Sequence, residues 1–487
     1  MAYAYAGKSG IGRGSDAERE TRRTLLVLGA GPKGLAIAAK QAALNSLGFA
    51  VPRVVLVDKT GVGADWSGKH GFTDGRRVLG TSPEKDVGFP YDSTCWGDAT
   101  LNKVVDQAMT AYSWQTHLIE EYKYSEWVDR GRPRPLHRQW SAYLRWVAEK
   151  SQAEVVRTEV VSIGLTEDGR RWRLQCRVAL PAEEVQGRER DSQDEMIEGD
   201  GLVLTGPGTP IRLAGQPTGD PRVLDGGNVW QALDYFMRLR PALTMPLHIG
   251  IVGTGETAAA TVMALLETLG DRANIEILSS RGVIYSRDEG FEENQLFSNP
   301  DPHRSTALGK RHPSVPGADE DLIHTHAVRW LSLTEEDRRE FVRRADRGVF
   351  SVQAVQELTQ AWNVRSVTGN AVRIRAMENG IVVESTYGGT TRQMQYDYVV
   401  VARGFDALWF LSLLDDGTRA RLAELAGPLT VSAFERAIGS DLGLEGVEPR
   451  LHLPMLAGVA QGPGFPNLSC LGLLSDRILM GYTELPQ

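Results

Sequence analysis

Two short glycine-rich stretches are the residues of this chain best suited to chemistry. Gly29-Ala30-Gly31-Pro32-Lys33-Gly34 follows the apolar run Thr24 to Leu28, and Gly253-Thr254-Gly255-Glu256-Thr257-Ala258 follows Leu247 to Val252. This is the spacing of a dinucleotide turn. The first glycine permits the turn, the second lets the backbone approach a pyrophosphate, and the third small residue lets helix and strand pack closely, with the helix N-terminus facing the phosphate charge. A lone match is weak, but both matches follow a strand and open a helix of small residues, the context that gives the motif meaning. Two turns imply two dinucleotides. Downstream of the first, the strand Arg53 to Asp58 ends in Asp58, followed by Lys59, both candidate cofactor contacts. A carboxylate there accepts both ribose hydroxyl protons, which suits FAD. Downstream of the second, Ile275 to Leu278 leads into Ser279-Ser280-Arg281 with no carboxylate. Arg281 is either a plain surface charge or the partner of a 2′-phosphate, and the second reading favours NADPH over NADH. FAD and NADPH together mean hydride transfer from nicotinamide to flavin. What the reduced flavin does next stays open at this point. Disulfide reduction lacks a cysteine pair, and oxygen activation requires a dry pocket over the flavin.

Each turn must be held by a βαβ unit, so the expected fold class is α/β: two doubly wound, Rossmann-like dinucleotide-binding domains with a smaller, mostly helical substrate domain. The expected boundaries are a disordered arm over 1–23, an FAD-binding domain over 24–214 and 456–487, an NADPH-binding domain over 215–285 and 351–406, and substrate-binding elements over 286–350 and 407–455. Pro181 to Gly201 and Pro300 to Asp321 read as surface loops from their polar, Pro- and Gly-containing composition. Glu335 to Arg347 alternates charge sign and reads as a solvated helix. A late strand over Tyr396 to Ala402 precedes Arg403-Gly404-Phe405, and Ser469 to Leu479 reads as a helix.

The chain of 487 residues is too long for one core. Its 41% hydrophobic and 24% charged content is that of a soluble globular protein. A net charge of −8 argues against nucleic acid as a partner. Cys95, Cys176 and Cys470 include no C-x-x-C pair, which disfavours a disulfide framework, a zinc ribbon and a redox dithiol; no metal site is expected. No apolar run reaches membrane-spanning length, and the N-terminus lacks the apolar centre of a signal peptide, so a cytoplasmic protein is expected.

Three longer stretches are more specific than the glycine turns: Leu79 to Tyr91, Asp288 to Phe297, and Gln461 to Asp476. Through them, and from about Thr24 to Gly481, the chain resembles the flavin-dependent N-hydroxylating monooxygenases of siderophore biosynthesis, particularly their lysine N6-hydroxylases. The resemblance implies that NADPH reduces FAD, that O2 adds to give a C4a-hydroperoxyflavin, and that its distal oxygen passes to a substrate amine, L-lysine first. It implies that Lys85 grips the substrate carboxylate, that Asn294 holds the backbone end of the amino acid, that Leu468 and Ser469 place the substrate beside the flavin, and that Trp66 and Ser82 belong to the FAD site. A homotetramer or dimer is implied as well. The plainer alternatives are an exposed loop lysine for Lys85, a loop cap for Asn294 and a packed aromatic for Trp66. The chain also departs from the family's ornithine enzymes. Gly80 and Glu256 stand where those carry glutamine, Val349 near their asparagine, and Arg403 where they have threonine. These changes favour lysine and lead us to expect some uncoupling to peroxide. Ornithine or a diamine is the alternative substrate, and an NAD(P)H oxidase or flavin reductase the alternative class. No catalytic side chain is assigned: the amine must be neutral to attack oxygen, and burial beside the flavin is expected to deprotonate it without a dedicated base. His137 is expected to be structural.

Overall fold

The computed structural model describes residues 22–178, 195–287, 291–300, 329–345 and 348–486. Along the chain the first elements are β1 (Thr24–Leu28), α1 (Pro32–Ser46), β2 (Arg53–Asp58), α2 (Ala99–Met109), α3 (Trp114–Glu120), α4 (Tyr124–Asp129), α5 (His137–Ser151), β3 (Glu154–Leu165), β4 (Trp172–Val178), β5 (Glu195–Gly199) and β6 (Gly201–Leu204). Next come β7 (Val223–Asp225), α6 (Val229–Leu239), β8 (Leu247–Val252), α7 (Glu256–Leu269), β9 (Ala273–Ser279), α8 (Phe291–Ser298), α9 (Glu335–Ala345) and α10 (Val352–Thr359). The rest is β10 (Val364–Thr368), β11 (Asn370–Met377), β12 (Gly380–Tyr387), β13 (Thr390–Tyr396), β14 (Tyr398–Val401), α11 (Asp416–Ala426), α12 (Val431–Arg436), β15 (Arg450–His452) and α13 (Leu471–Met480).

Two sheets carry the fold. The first has the order β15-β6-β1-β2-β3-β4-β5, parallel through β3 and antiparallel beyond it. The second is wholly parallel, β10-β9-β8-β14-β7. The apolar runs that form β1, β6 and β14 are buried almost throughout, as strands covered on both faces must be. In each sheet the strand order reverses at the strand before a glycine turn: β1 lies between β2 and β6, and β8 between β9 and β14. Ligands of doubly wound sheets bind at such a switch point. The antiparallel sheet β11-β12-β13 packs Ile374, Ile381, Val383 and Tyr396 against Val252 and Leu278 of the second sheet.

The expected arm as far as position 21, most of the acidic stretch, and the Pro-rich stretch after Pro300 lie outside the described residues, as do 288–290 and 346–347. Four expectations change. Arg22 and Arg23, assigned to the arm, are hydrogen-bonded to Asn45 at 3.2 Å and to the Gly481 carbonyl at 3.1 Å. Glu195 to Gly201, read as the end of a loop, forms β5 and begins β6, because its polar residues occupy an exposed edge. The strand expected over Tyr396 to Ala402 is split at Asp397, whose carboxylate accepts from the His248 amide at 2.7 Å. The segment 407–455, assigned to substrate binding, packs Phe410, Leu422, Phe434 and Leu444 into the first core and adds β15 to the first sheet. A separate small core joins Phe297 of α8, Trp330, and Phe341 and Val342 of α9 to Val459.

Candidate active site between two dinucleotide folds

The glycines of the first turn divide the work as the motif requires. Gly29 has φ +118°, and a Cβ there would stand 2.1 Å from Thr205 Oγ1. A Cβ on Gly34 would stand 2.3 Å from the Gly29 carbonyl oxygen. Gly31 differs: nothing lies within 4 Å of its Cβ direction, and it begins α1 with no side-chain cap. An open backbone at an uncapped helix N-terminus fits a pyrophosphate. Pro32 at the first helical position has no N–H to leave unpaired. Asp58 accepts from the Ala30 amide at 2.8 Å and, through its other oxygen, from the Thr60 and Gly61 amides at 2.8 and 2.7 Å. It therefore orders the turn itself. Lys59 pairs with Glu159 at 2.7 Å on the surface, so no observation directs it to a cofactor. Trp66 packs edge-on against His137 with ring centroids 4.8 Å apart, and His137 Nδ1 lies 2.8 Å from Thr73 Oγ1. Burial pushes His137 down to about 4, so it is neutral and structural. Ser82 closes a turn: its carbonyl accepts from the Lys85 amide at 3.0 Å.

The second turn repeats the pattern. Gly253 has φ +132°, and a Cβ there would stand 2.2 Å from the Ala402 oxygen, whereas the nearest atom to the Cβ direction of Gly255 is Gly348 Cα at 3.9 Å. Ala258, fully buried, takes the third place. Thr257 packs on Gly226, where an added Cβ would stand 2.9 Å from its methyl group. Glu256, exposed at the start of α7, accepts from the Ser351 amide at 2.9 Å and so ties α7 to the N-cap of α10. Ser280 and Arg281 are exposed just past β9, with the Arg281 guanidinium 5.9 Å from the Tyr285 ring centre. Val349 is buried, beside the Gly348 that faces the turn.

Three chain-distant segments meet beside the first turn. The Gly472 amide at the start of α13 donates to the Phe89 carbonyl at 2.7 Å, which docks the 82–91 loop. A Cβ on Gly464 would stand 1.9 Å from the Phe297 carbonyl, so the 462–469 loop presses on α8. Asn299, just past α8, donates to Asp92 at 2.9 Å. Lys85, Asn294, Leu468 and Ser469 thus stand on segments that are pinned to one another. Asn294 is exposed on α8 and not in a loop; Leu468 is half-buried and Ser469 buried. Burial pushes the Cys470 thiol up to about 12, against a pull from the Arg477 guanidinium and then the Lys33 and Lys85 ammonium groups.

Sequence reasoning missed the residues that do the pinning. Lys33 of the first turn donates to the Pro466 carbonyl at 2.7 Å. Lys40, one heptad later on the same face of α1, is fully buried against Asp476 of α13, which also accepts from Ser93 Oγ at 2.7 Å and Trp96 Nε1 at 2.8 Å. The available signal was two lysines seven residues apart in a helix that is otherwise apolar from Gly34 to Ala39. Asp86, buried beside Lys85, accepts from the Trp114 amide and the Tyr91 hydroxyl, both at 2.8 Å. Between the folds, the Arg77 guanidinium forks onto Glu267 of α7, and Phe72 meets Phe405 at 4.7 Å.

Residues 250–406 match the model of a family described as FAD-NAD(P)-binding. The L-lysine N6-monooxygenase MbtG of Mycobacterium sp. (strain MCS) is 38% identical over 470 residues, with 94% of each chain covered. The enzyme of the same name from Mycobacterium tuberculosis (strain H37Rv) is 37% identical over 461 residues, again with 94% of each chain covered. The solved lysine monooxygenase NbtG of Nocardia farcinica superposes with a TM-score of 0.74 at 36% identity, covering 94% of this chain and 100% of that one. With two dinucleotide turns at two switch points and near-complete overlap with these relatives, the chain belongs to the flavin-dependent N-hydroxylating monooxygenases, in the family of the L-lysine N6-monooxygenases MbtG.

Proposed function

We propose that the protein hydroxylates the N6 amine of L-lysine, using NADPH and O2, to give N6-hydroxylysine for a siderophore or a related natural product. The observation that carries this reading is the convergence of the Lys85 loop, α8 and the 462–472 segment beside the first glycine turn. Gly29, Gly31, Pro32, Gly34, Asp58, Trp66, Ser82 and Ser469 would hold FAD. Gly253, Gly255, Thr257, Ser280 and Arg281 would hold NADPH, with Glu256 standing beside the pyrophosphate in the first turn of α7. When bound, the reduced flavin supplies the activated oxygen.

The chain's own residues then orient the amine and strip it of water. Lys85 would meet the substrate carboxylate in a charge-assisted hydrogen bond, with Asn294 at the same end. Leu468 and Val349 would offer apolar surface toward the aliphatic chain. A lysine amine titrates near ~10.4 in water, so under about a tenth of a per cent is neutral at pH 7. Desolvation shifts that balance toward the neutral, nucleophilic form. Hydroxylation should therefore accelerate toward pH 8 to 9, and a flat profile would remove the desolvation argument. One methylene separates lysine from ornithine, a difference worth only ~1–3 kcal/mol in an apolar pocket. The three unpaired cysteines suit a reducing compartment, the cytoplasm. No described helix is long and apolar enough to cross a membrane.

The test is a hydroxylamine assay with NADPH and O2 across L-lysine, L-ornithine and simple diamines. Product from lysine above the others is expected. NADPH oxidation with no hydroxylamine from any of them would replace this reading with that of an oxidase.

A further inference from the structure

We propose that Asp86 is a positioning residue for substrate binding: its buried carboxylate fixes the turn that sets the Lys85 side chain over the Phe89 ring and docks that turn onto the start of α13. The inference rests on the reading of Lys85 as the carboxylate grip, and the experiment below separates the two.

Asp86 is 2% exposed. One oxygen accepts from the Gly88 amide at 3.1 Å and the Tyr91 hydroxyl at 2.8 Å, which closes residues 86–91 on themselves. The other accepts from the Trp114 amide at 2.8 Å, which ties that closed turn to the first residue of α3. The turn has no slack. Tyr91 has φ +59°, and a Cβ on Gly88 would stand 2.5 Å from the Tyr91 ring. On the far side, the Phe89 carbonyl accepts from Gly472 at 2.7 Å, and the Lys85 ammonium lies 5.8 Å from the centre of the Phe89 ring. The carboxylate thus stands at the junction between the substrate grip, the aromatic ring beneath it and the helix that follows Leu468 and Ser469.

Asp86 is buried among neutral hydrogen-bond donors. Burial pushes its carboxyl up to about 6, and the contacts that oppose the burial are neutral donors: Trp114, Tyr91 and nearby loop amides. The other titratable groups around it are Tyr143 from α5, Asp106 from α2 acting on Tyr91, His117 of α3 packed on Tyr143, and Lys85 on its own loop. The carboxyl is raised above its unfolded value, so the folded state holds the proton more tightly. Ionisation therefore weakens the fold progressively from about pH 4 to about pH 6, and that cost is complete above it. An isosteric neutral replacement removes the cost but puts an N–H2 against the Trp114 amide or the Gly88 amide, whichever way it turns. A buried carboxylate that orders a ligand loop at a cost on ionisation is the pattern expected of a functional residue.

The experiment compares Asp86→Asn, Tyr91→Phe and Lys85→Ala with the wild-type holoenzyme. For Asp86→Asn, KM for L-lysine should rise about tenfold or more, the size expected for a misplaced charged hydrogen bond. Anaerobic flavin reduction by NADPH should stay within about twofold. In the wild type, KM for lysine should climb as pH drops through 6; the variant should lose that limb. Tyr91→Phe removes one donor and should move the limb to higher pH, which keeps the proposal testable if Asp86→Asn does not fold. A lysine KM within twofold of wild type, a limb that persists in Asp86→Asn, an unmoved limb in Tyr91→Phe, or flavin reduction and unfolding midpoint falling together would overturn it. Should Lys85→Ala bind lysine normally, the grip itself is wrong and the proposal goes with it. If Lys85→Ala is crippled while Asp86→Asn is not, only the role of Asp86 fails.

Discussion

At the scale of single residues, Glu256 sets two demands against each other. The N-terminus of α7 attracts anions through its dipole and unpaired amides, and Glu256 already places a carboxylate there, held by the Ser351 amide. A pyrophosphate arriving at Gly255 meets like charge in the first turn. Glu256→Gln keeps an oxygen for Ser351 and removes the charge. A charge at a helix terminus is worth about 0.3–1 kcal/mol, so KM for NADPH should fall about two- to fivefold. Stopped-flow reduction at subsaturating NADPH checks this, and the gain should shrink in high salt. A weaker KM in the variant would mean that the carboxylate contacts the dinucleotide favourably. Asp58 carries a related lesson. Its residue type and place were legible from the strand–turn pattern, but not that both oxygens are occupied by the turn's own amides. Spacing reports which group stands at a position and is silent on how its lone pairs are shared.

At the scale of elements, the joint between α1 and α13 depends on a buried charge. The Lys40–Asp476 pair is almost fully removed from water and further satisfied by Ser93 and Trp96. Breaking such a pair from one side leaves a bare buried ion and costs about 3–5 kcal/mol, while replacing both members with apolar residues is often nearly neutral. Lys40→Met should thus lower stability by about 3–5 kcal/mol in chemical denaturation, and Lys40→Met with Asp476→Leu should recover most of it. A double variant as weak as the single one would show that the charges themselves are required, not merely balanced. Both helices were readable: α1 from its run of small apolar residues after a glycine turn, α13 from its apolar run after Asn467. The pair was not, because its partners lie at opposite ends of the chain and nothing local marks a lysine as buried. The same limit explains residues 407–455: the core they join is decided by long-range packing against β3 and the first sheet. The short strands β5 and β15 were illegible for a different reason: they borrow their hydrogen bonds from a sheet already formed, so their composition need not favour strand.

At the scale of the whole molecule, two antiparallel crossings join the cofactor folds. Residues 209–211 run beside 404–406, with the Ile211 amide donating to Gly404 at 3.0 Å and the Asp406 amide to Thr209 at 2.8 Å. Beyond this hinge the seam is closed by Phe72 on Phe405 and by the fork of Arg77, 13% exposed, onto Glu267. Phe72 belongs to the loop after Trp66 on the FAD side. Phe405 packs beside Gly226, which also touches Thr257 of the second turn. The seam thus links the loop after Trp66 to the second glycine turn through Phe405 and Gly226, and we expect it to hold the two turns together. Hydride transfer needs them together, so weakening the latch should slow flavin reduction. A partly exposed ion pair is worth about 0.2–1 kcal/mol, which sets the expected loss for Glu267→Ala at up to about fivefold in the anaerobic reduction rate at saturating NADPH. Raising the salt should slow the wild type toward the variant, because the same pair is screened. Phe405→Ala removes an apolar contact and should slow reduction without adding salt dependence. If Glu267→Ala reduces as fast as wild type and neither rate responds to salt, the seam does not govern the approach of the two cofactors, and the hinge alone must position them.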